Sequence, residues 1–211
     1  MSKKFPGTFV TLEGPEGAGK TTQVKHLTVL LTQRGIDHLV TRDPGGTPLG
    51  KKIRRILLTP GLDVSPRAEL LLYQADRAQH VEELILPALN AGKLVICDRY
   101  TDSTMAYQGY GRGIDFDLIE NLNQIATGGL KPQFTFLFDL PSEEGLSRRH
   151  PAGYDRMERE AMDFHHRVRQ GYLTLAEKEP ERFYIVDASR PLSAVQQDFQ
   201  DAFFKRYASL K

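Results

Sequence analysis

One cysteine in 211 residues, Cys97, leaves the chain no partner for an internal disulfide and no second thiolate for a cysteine-built metal site. It follows the apolar run Leu94-Val95-Ile96 and reads as a free, buried thiol. No apolar run approaches the roughly 20 residues that cross a bilayer, and Met1–Pro6 lacks the apolar stretch of a secretory leader. Charge of neither sign dominates. Against 28 lysines and arginines stand 27 acidic residues, a formal net charge of +1, which excludes a broad nucleic-acid or membrane surface and confines any basic patch to a local site. Internal repeats and low-complexity tracts are also missing. What remains is one domain, 40% apolar, expected in the reducing cytoplasm.

Short, continuously apolar runs alternate with longer periodic ones. Strands are expected over Phe9–Glu13, His38–Thr41, Leu94–Cys97, Phe134–Phe138 and Phe183–Val186. Helical spacing of apolar residues spans 68–90 and 156–176, and a last amphipathic helix begins near Pro191. The glycine-rich stretch Gln108–Asp117 is expected to be irregular. Five β segments alternating with helices give an α/β fold, a doubly wound five-stranded parallel sheet flanked by helices. Such sheets bind ligands beyond the C-terminal ends of their strands.

The first such end carries Gly14-Pro15-Glu16-Gly17-Ala18-Gly19-Lys20-Thr21, followed by Thr22. It fits G-x-x-x-x-G-K-[ST] between a strand and a helix, the context that makes this pattern a phosphate-binding P-loop of the NTPase type. The glycines let backbone N–H groups point inward and the helix N-terminus adds partial positive charge. Lys20 then reaches the β- and γ-phosphates, and the Thr21 hydroxyl ligates Mg²⁺.

Downstream clusters bear on what receives the phosphate. The third strand ends in Asp98-Arg99-Tyr100, then Ser103. Asp98 is placed to hold Mg²⁺ or its waters, and Arg99 to clamp phosphates with its planar fork. Tyr73 and Arg77, four residues apart on an expected helix, share a face; they suit a base and a phosphate, or simply packing and solvent. The segment about 143–156 holds Arg148, Arg149 and Arg156 among Pro and Gly, as an arginine-bearing lid or a solvated basic loop would. His165 and His166 are adjacent on a helix and read as structural.

With these residues in place, the chain resembles the thymidylate kinases (dTMP kinases) over nearly its whole length. The resemblance rests on Glu13–Thr22, Thr41-Arg42-Asp43-Pro44-Gly45-Gly46-Thr47, Tyr73 with Arg77, Asp98-Arg99-Tyr100 through Ser103 to Gly109, Gly111-Arg112-Gly113, and Asp155-Arg156. It implies one nucleoside-monophosphate kinase domain over 1–211, with ATP, Mg²⁺ and dTMP as ligands and a homodimeric assembly. It implies that Glu16 contacts the 3′-hydroxyl of dTMP, Tyr73 the thymine ring, and Arg77 and Arg99 its phosphate. Thr104 and Gln108 then face the base, Tyr107 the sugar, and Asp155 orders the lid. The Asp43-Pro44 bond is expected to be cis. One group of these enzymes carries its catalytic arginine inside the P-loop, where this chain has Gly17. The arrangement here is therefore the bacterial one with that arginine in the lid, Arg149 before Arg148. Rival readings are another small-molecule kinase on the same architecture, for deoxyguanylate, cytidylate or shikimate, and a nucleotide-dependent switch. The absence of an Asn-Lys-x-Asp motif weighs against the switch.

Overall fold

The computed structural model of the chain describes residues 5–148 and 153–210. Its sheet is all parallel, in the order β2-β3-β1-β4-β5: β1 Thr8–Glu13, β2 His38–Arg42, β3 Leu94–Asp98, β4 Phe134–Asp139 and β5 Phe183–Asp187. The doubly wound five-stranded sheet expected from the alternating pattern is the one observed. Alternation along β1 divides the core. Val10 and Leu12 face α1 (Lys20–Gln33) and α9 (Leu192–Ala208), packing with Leu27, Leu31, Phe199 and Phe203. Phe9 faces the other side with Val81, Ile85, Leu89 and Tyr100, where Cys97 is buried and free.

Helix α3 (Pro66–His80) starts at a Ser65 cap with Pro66 in the first turn, and runs on through Val81–Ile85 into α4 (Leu86–Asn90). Val81–Ile85 is wound as a π-turn. Pro87 has no N–H to return to the preceding turn, and the wider turn absorbs that loss. Two expectations need correction. Met105–Gly111 is wide-turn helix following α5 (Thr101–Thr104), so only a short part of 108–117 is irregular. Helix α8 runs Met162–Lys178 and begins later than expected. Asp155 accepts from the N–H of Met157 and Glu158 (2.9 and 3.0 Å) and Glu158 accepts from that of Asp155 (3.0 Å), a reciprocal turn that holds the chain off the helix axis. Two further helices, α2 (Pro48–Leu58) and α6 (Phe116–Thr127), begin at the side-chain caps Thr47 and Asp115. The remaining helix, α7 (Ser142–Ser147), follows β4.

Register places the site. Leu12 on β1 and Arg42 on β2 both stand opposite Asp98 on β3. The P-loop, the Asp43–Thr47 loop and the Asp98-Arg99 turn therefore leave the sheet side by side at its C-terminal edge.

Candidate active site

At that edge a cleft of about 330 Å³ is lined by the P-loop, Arg54, Tyr73, Arg77, Asp98, Arg99, Ser103, Thr104, Tyr107, Gln108, Arg148 and Asp155. Every sequence-derived site residue within the described part of the chain borders it, apart from the two buried loop residues Gly14 and Pro15 beneath it. Arg149 lies outside the described residues.

The P-loop is set against α7 by backbone contact. Gly17 has φ +71°, and a Cβ there would stand 2.0 Å from the Gly145 carbonyl oxygen of α7. A Cβ on Gly145 would in turn meet the Glu16 carbonyl oxygen at 2.3 Å. An arginine at position 17 has no room beside α7. Gly19 caps α1 in the left-handed region at φ +82°. Lys20 is buried and donates to the Gly14 and Pro15 carbonyls, 2.8 Å each. Burial, helped by Arg99, lowers its pKa to about 8, and an arriving polyphosphate would reverse that shift. Asp98 Oδ1 is buried with no hydrogen-bond partner, a hard oxygen donor close to the start of α1.

Arg99 is the non-glycine residue with positive φ, +72°, among those described. Its Nη1 donates to Gly14 O (2.9 Å), Tyr172 Oη (2.9 Å) and Ser103 Oγ (3.3 Å), and its Nη2 to Glu16 Oε1 (2.6 Å). Tyr107 Oη donates to the same Glu16 oxygen (3.1 Å). Glu16 thus stands in for an anion on Arg99 at the mouth of the P-loop.

On the acceptor side Arg77 is fully buried and its five N–H groups are engaged. Nε and Nη2 reach both oxygens of Asp43 (2.9 and 3.2 Å), Nη2 also Tyr100 O (3.2 Å), and Nη1 reaches Thr104 Oγ1 and Asn123 Oδ1 (2.9 Å each). The Asp43-Pro44 bond is cis. Gln108 donates through Nε2 to buried Glu69 (2.8 Å). Because an ionised carboxylate only accepts, this fixes the amide with its nitrogen toward Glu69. Glu69 also takes Arg112 and Arg156; burial works to raise its pKa, and these partners outweigh it and hold it low. After α7, Arg148 bonds Glu144 (2.6 Å), Ala188 O (3.1 Å) and Gly17 O (3.4 Å).

The thymidylate kinase family model matches residues 12–199. The chain belongs to the thymidylate kinase family. A relative from Carboxydothermus hydrogenoformans described as thymidylate kinase is 56% identical over 185 residues, 87% of this chain and 90% of its own. One of that description from Desulfosudis oleivorans is 55% identical over 196 residues, covering 89% and 92%. A third, from Geotalea uraniireducens, is 50% identical over 210 residues, covering 96% and 99%.

For a thymidylate kinase family site, two contributions had no local sequence signal. Arg54 on α2 lines the cleft, donates to Pro44 O (3.1 Å), and has no carboxylate partner among the described residues. Burial, then the nearby Arg42 and Arg99, depress its pKa. Glu13 and Tyr172, both fully buried, stand behind Arg99.

Proposed function

We propose that this enzyme transfers the γ-phosphoryl group of ATP to the 5′-phosphate of dTMP, giving ADP and dTDP. The observation that carries the reading is the placement of Arg99 and Arg54 between the P-loop and a pocket edged by Tyr73, Thr104, Tyr107 and Gln108. That is where a monophosphate must sit to meet a γ-phosphate in line. Gly14 to Thr22 cradle the donor phosphates, with Lys20 moving from its loop carbonyls onto them. Arg54 and Arg99 take the acceptor phosphate. Arg77, held by Asp43 and Thr104, borders the cleft and takes the same phosphate, as the resemblance implies. Tyr73 lies against the ring, Gln108 and Thr104 meet its edge, and Ser103 steadies Arg99. Glu16 exchanges Arg99 for the 3′-hydroxyl, and Tyr107 crowds out a ribose 2′-hydroxyl. Asp155 orders the lid, whose Arg148 or Arg149 neutralises the transferring group.

The chemistry needs little from the protein beyond position and charge. A dTMP phosphate oxygen, already anionic, attacks the γ-phosphorus; the new P–O bond forms as the bond to the ADP oxygen breaks. Mg²⁺ fits the residues present, with Thr21 and the unpartnered Asp98 oxygen to hold it or its waters. When bound it supplies charge neutralisation at the donor phosphates.

We further assign the whole chain to one kinase domain with a lid at about 143–156, working in the cytoplasm; no helix among the described residues is long and apolar enough to cross a membrane. A homodimer is supported by apolar side chains left outward on the packed pair α3 and α6, Leu71 at 50% exposure and Ile125 at 78% among them.

The test is ADP release with ATP and Mg²⁺, offering dTMP, dUMP, UMP, dCMP, dGMP and AMP separately. Preference for dTMP with poor use of UMP is expected. Better turnover of a purine or ribonucleotide would overturn the acceptor pocket, and no turnover of any would favour the switch reading.

A further inference from the structure

Glu13, the last residue of β1, is fully buried and directly precedes the P-loop. Its Oε1 accepts from the Tyr100 N–H (2.7 Å), bracing the backbone on the far side of the left-handed Arg99. Its Oε2 accepts from Ser103 Oγ (2.5 Å) and Tyr172 Oη (3.1 Å), and those hydroxyl oxygens are the ones that accept from Arg99 Nη1. An ionised carboxylate is acceptor-only. The two hydroxyls also lie 2.7 Å from one another and share a hydrogen bond. The carboxylate is therefore the acceptor at the end of this hydroxyl network, takes at least one of its hydrogens, and leaves lone pairs on the hydroxyl oxygens for the guanidinium.

Resting on the phosphoryl-transfer reading above, we propose that Glu13 is a positioning residue for that reaction, fixing Arg99 through Ser103 and Tyr172. The same carboxylate links two strands' ends. It sits where β1 becomes the P-loop and holds the turn where β3 becomes α5, so the donor cradle and the acceptor arginine share one anchor. Glutamine at 13 keeps the size and the Tyr100 contact. It then turns an amide N–H₂ toward the hydroxyls, reversing their polarity against Arg99.

The groups facing Glu13 are Cys97 on β3, Arg99, Asp102 and Ser103 beyond it, Arg77 on α3, Tyr172 on α8, and Lys20 at the P-loop. Burial, then Asp102, raises the Glu13 pKa to about 7 against the pull of Ser103 and Arg99. The proton that would undo the hydroxyl arrangement is thus taken up around neutrality.

The experiment compares wild type with Glu13→Gln in steady-state kinetics from pH 6 to 9, on whichever monophosphate the wild type prefers. A wrong acceptor assignment then shows in the wild type alone, and a wrong Glu13 assignment only in the variant. Expected for Glu13→Gln are a kcat about 10- to 100-fold lower, an acceptor KM several-fold higher and an ATP KM within about twofold. The acid limb of the wild-type kcat profile near pH 7 should flatten. If Glu13→Gln does not fold, Tyr172→Phe removes one hydroxyl from the same cluster. It should show the same split between acceptor and ATP, more weakly. Unchanged constants, or a fall in kcat with both KM values and the pH profile intact, would overturn the proposal.

Discussion

The contact between Gly17 and Gly145 separates into two costs that three alanine variants can weigh. Gly19→Ala carries only the backbone cost, since φ is +82° and nothing lies within 4 Å of the added Cβ. A non-glycine residue held there costs about 1–2 kcal/mol. Gly145→Ala carries only the clash, at 2.3 Å from the Glu16 carbonyl oxygen. Forcing two backbones apart costs about 1–3 kcal/mol, less the ~0.5–1 kcal/mol that alanine gains over glycine in a helix. Gly17→Ala carries both, with φ +71° and a Cβ 2.0 Å from the Gly145 oxygen, so about 2–5 kcal/mol. At roughly 2–4 °C per kcal/mol for a domain of this size, Gly19→Ala should lower Tm by a few degrees and Gly17→Ala by roughly twice as much or more. The double variant Gly17→Ala/Gly145→Ala should fall short of the sum, because the first clash has already opened the gap. Thermal melts without nucleotide read all four. Equal losses in Gly17→Ala and Gly19→Ala would refute the close approach of P-loop and α7.

Other outcomes follow from the same geometry. Arg54→Ala should raise the dTMP KM about 10- to 100-fold, the loss of one charge-assisted contact of ~1.5–3 kcal/mol, with the ATP KM unmoved; equal effects on both substrates would place Arg54 elsewhere. Arg182→Met leaves Asp102 buried without its two bonds of 2.7 and 2.8 Å from Arg182, and chemical denaturation should record a loss of about 3–5 kcal/mol. Asp76, packed against Asp43, Arg77 and His80 with Arg54 nearby, has its pKa raised to about 7 by burial and then by Asp43. A carboxyl whose folded pKa lies above its unfolded value contributes stability at low pH and loses it as pH rises to the folded value. Wild type should therefore lose stability between about pH 4 and 7, and Asp76→Asn should lose less over that window in urea titrations; parallel curves would contradict it.

The P-loop was legible because its chemistry is local: eight residues between a strand and a helix carry the whole signal. The strand-end clusters were legible for the same reason, and parallel register then brought Asp43, Asp98 and Gly14 together without further information. Arg54 was not, because α2 presents Arg54 and Arg55 side by side and only the packed fold decides which enters the cleft. Glu13 reads as the end of a strand and Tyr172 as one more residue of a periodic helix. Their partnership spans 159 positions and exists only once α8 packs against β4 and the wide-turn helix at Met105–Gly111. The turn at 155–158 hid the true start of α8, since Met157 and Ala161 keep the apolar rhythm of a helix that a capping pair interrupts. Arg77 illustrates the opposite limit. Its spacing from Tyr73 sets both on α3 at the cleft, while its partners Asp43, Thr104 and Asn123 come from three other elements.

The measurement that bears most directly on the account is ³¹P NMR of wild-type enzyme with equimolar ATP, dTMP and Mg²⁺. Phosphoryl transfer to dTMP predicts that dTDP and ADP grow in together, one of each per ATP consumed, with no inorganic phosphate. ATP loss matched by inorganic phosphate, with dTMP untouched, would contradict it.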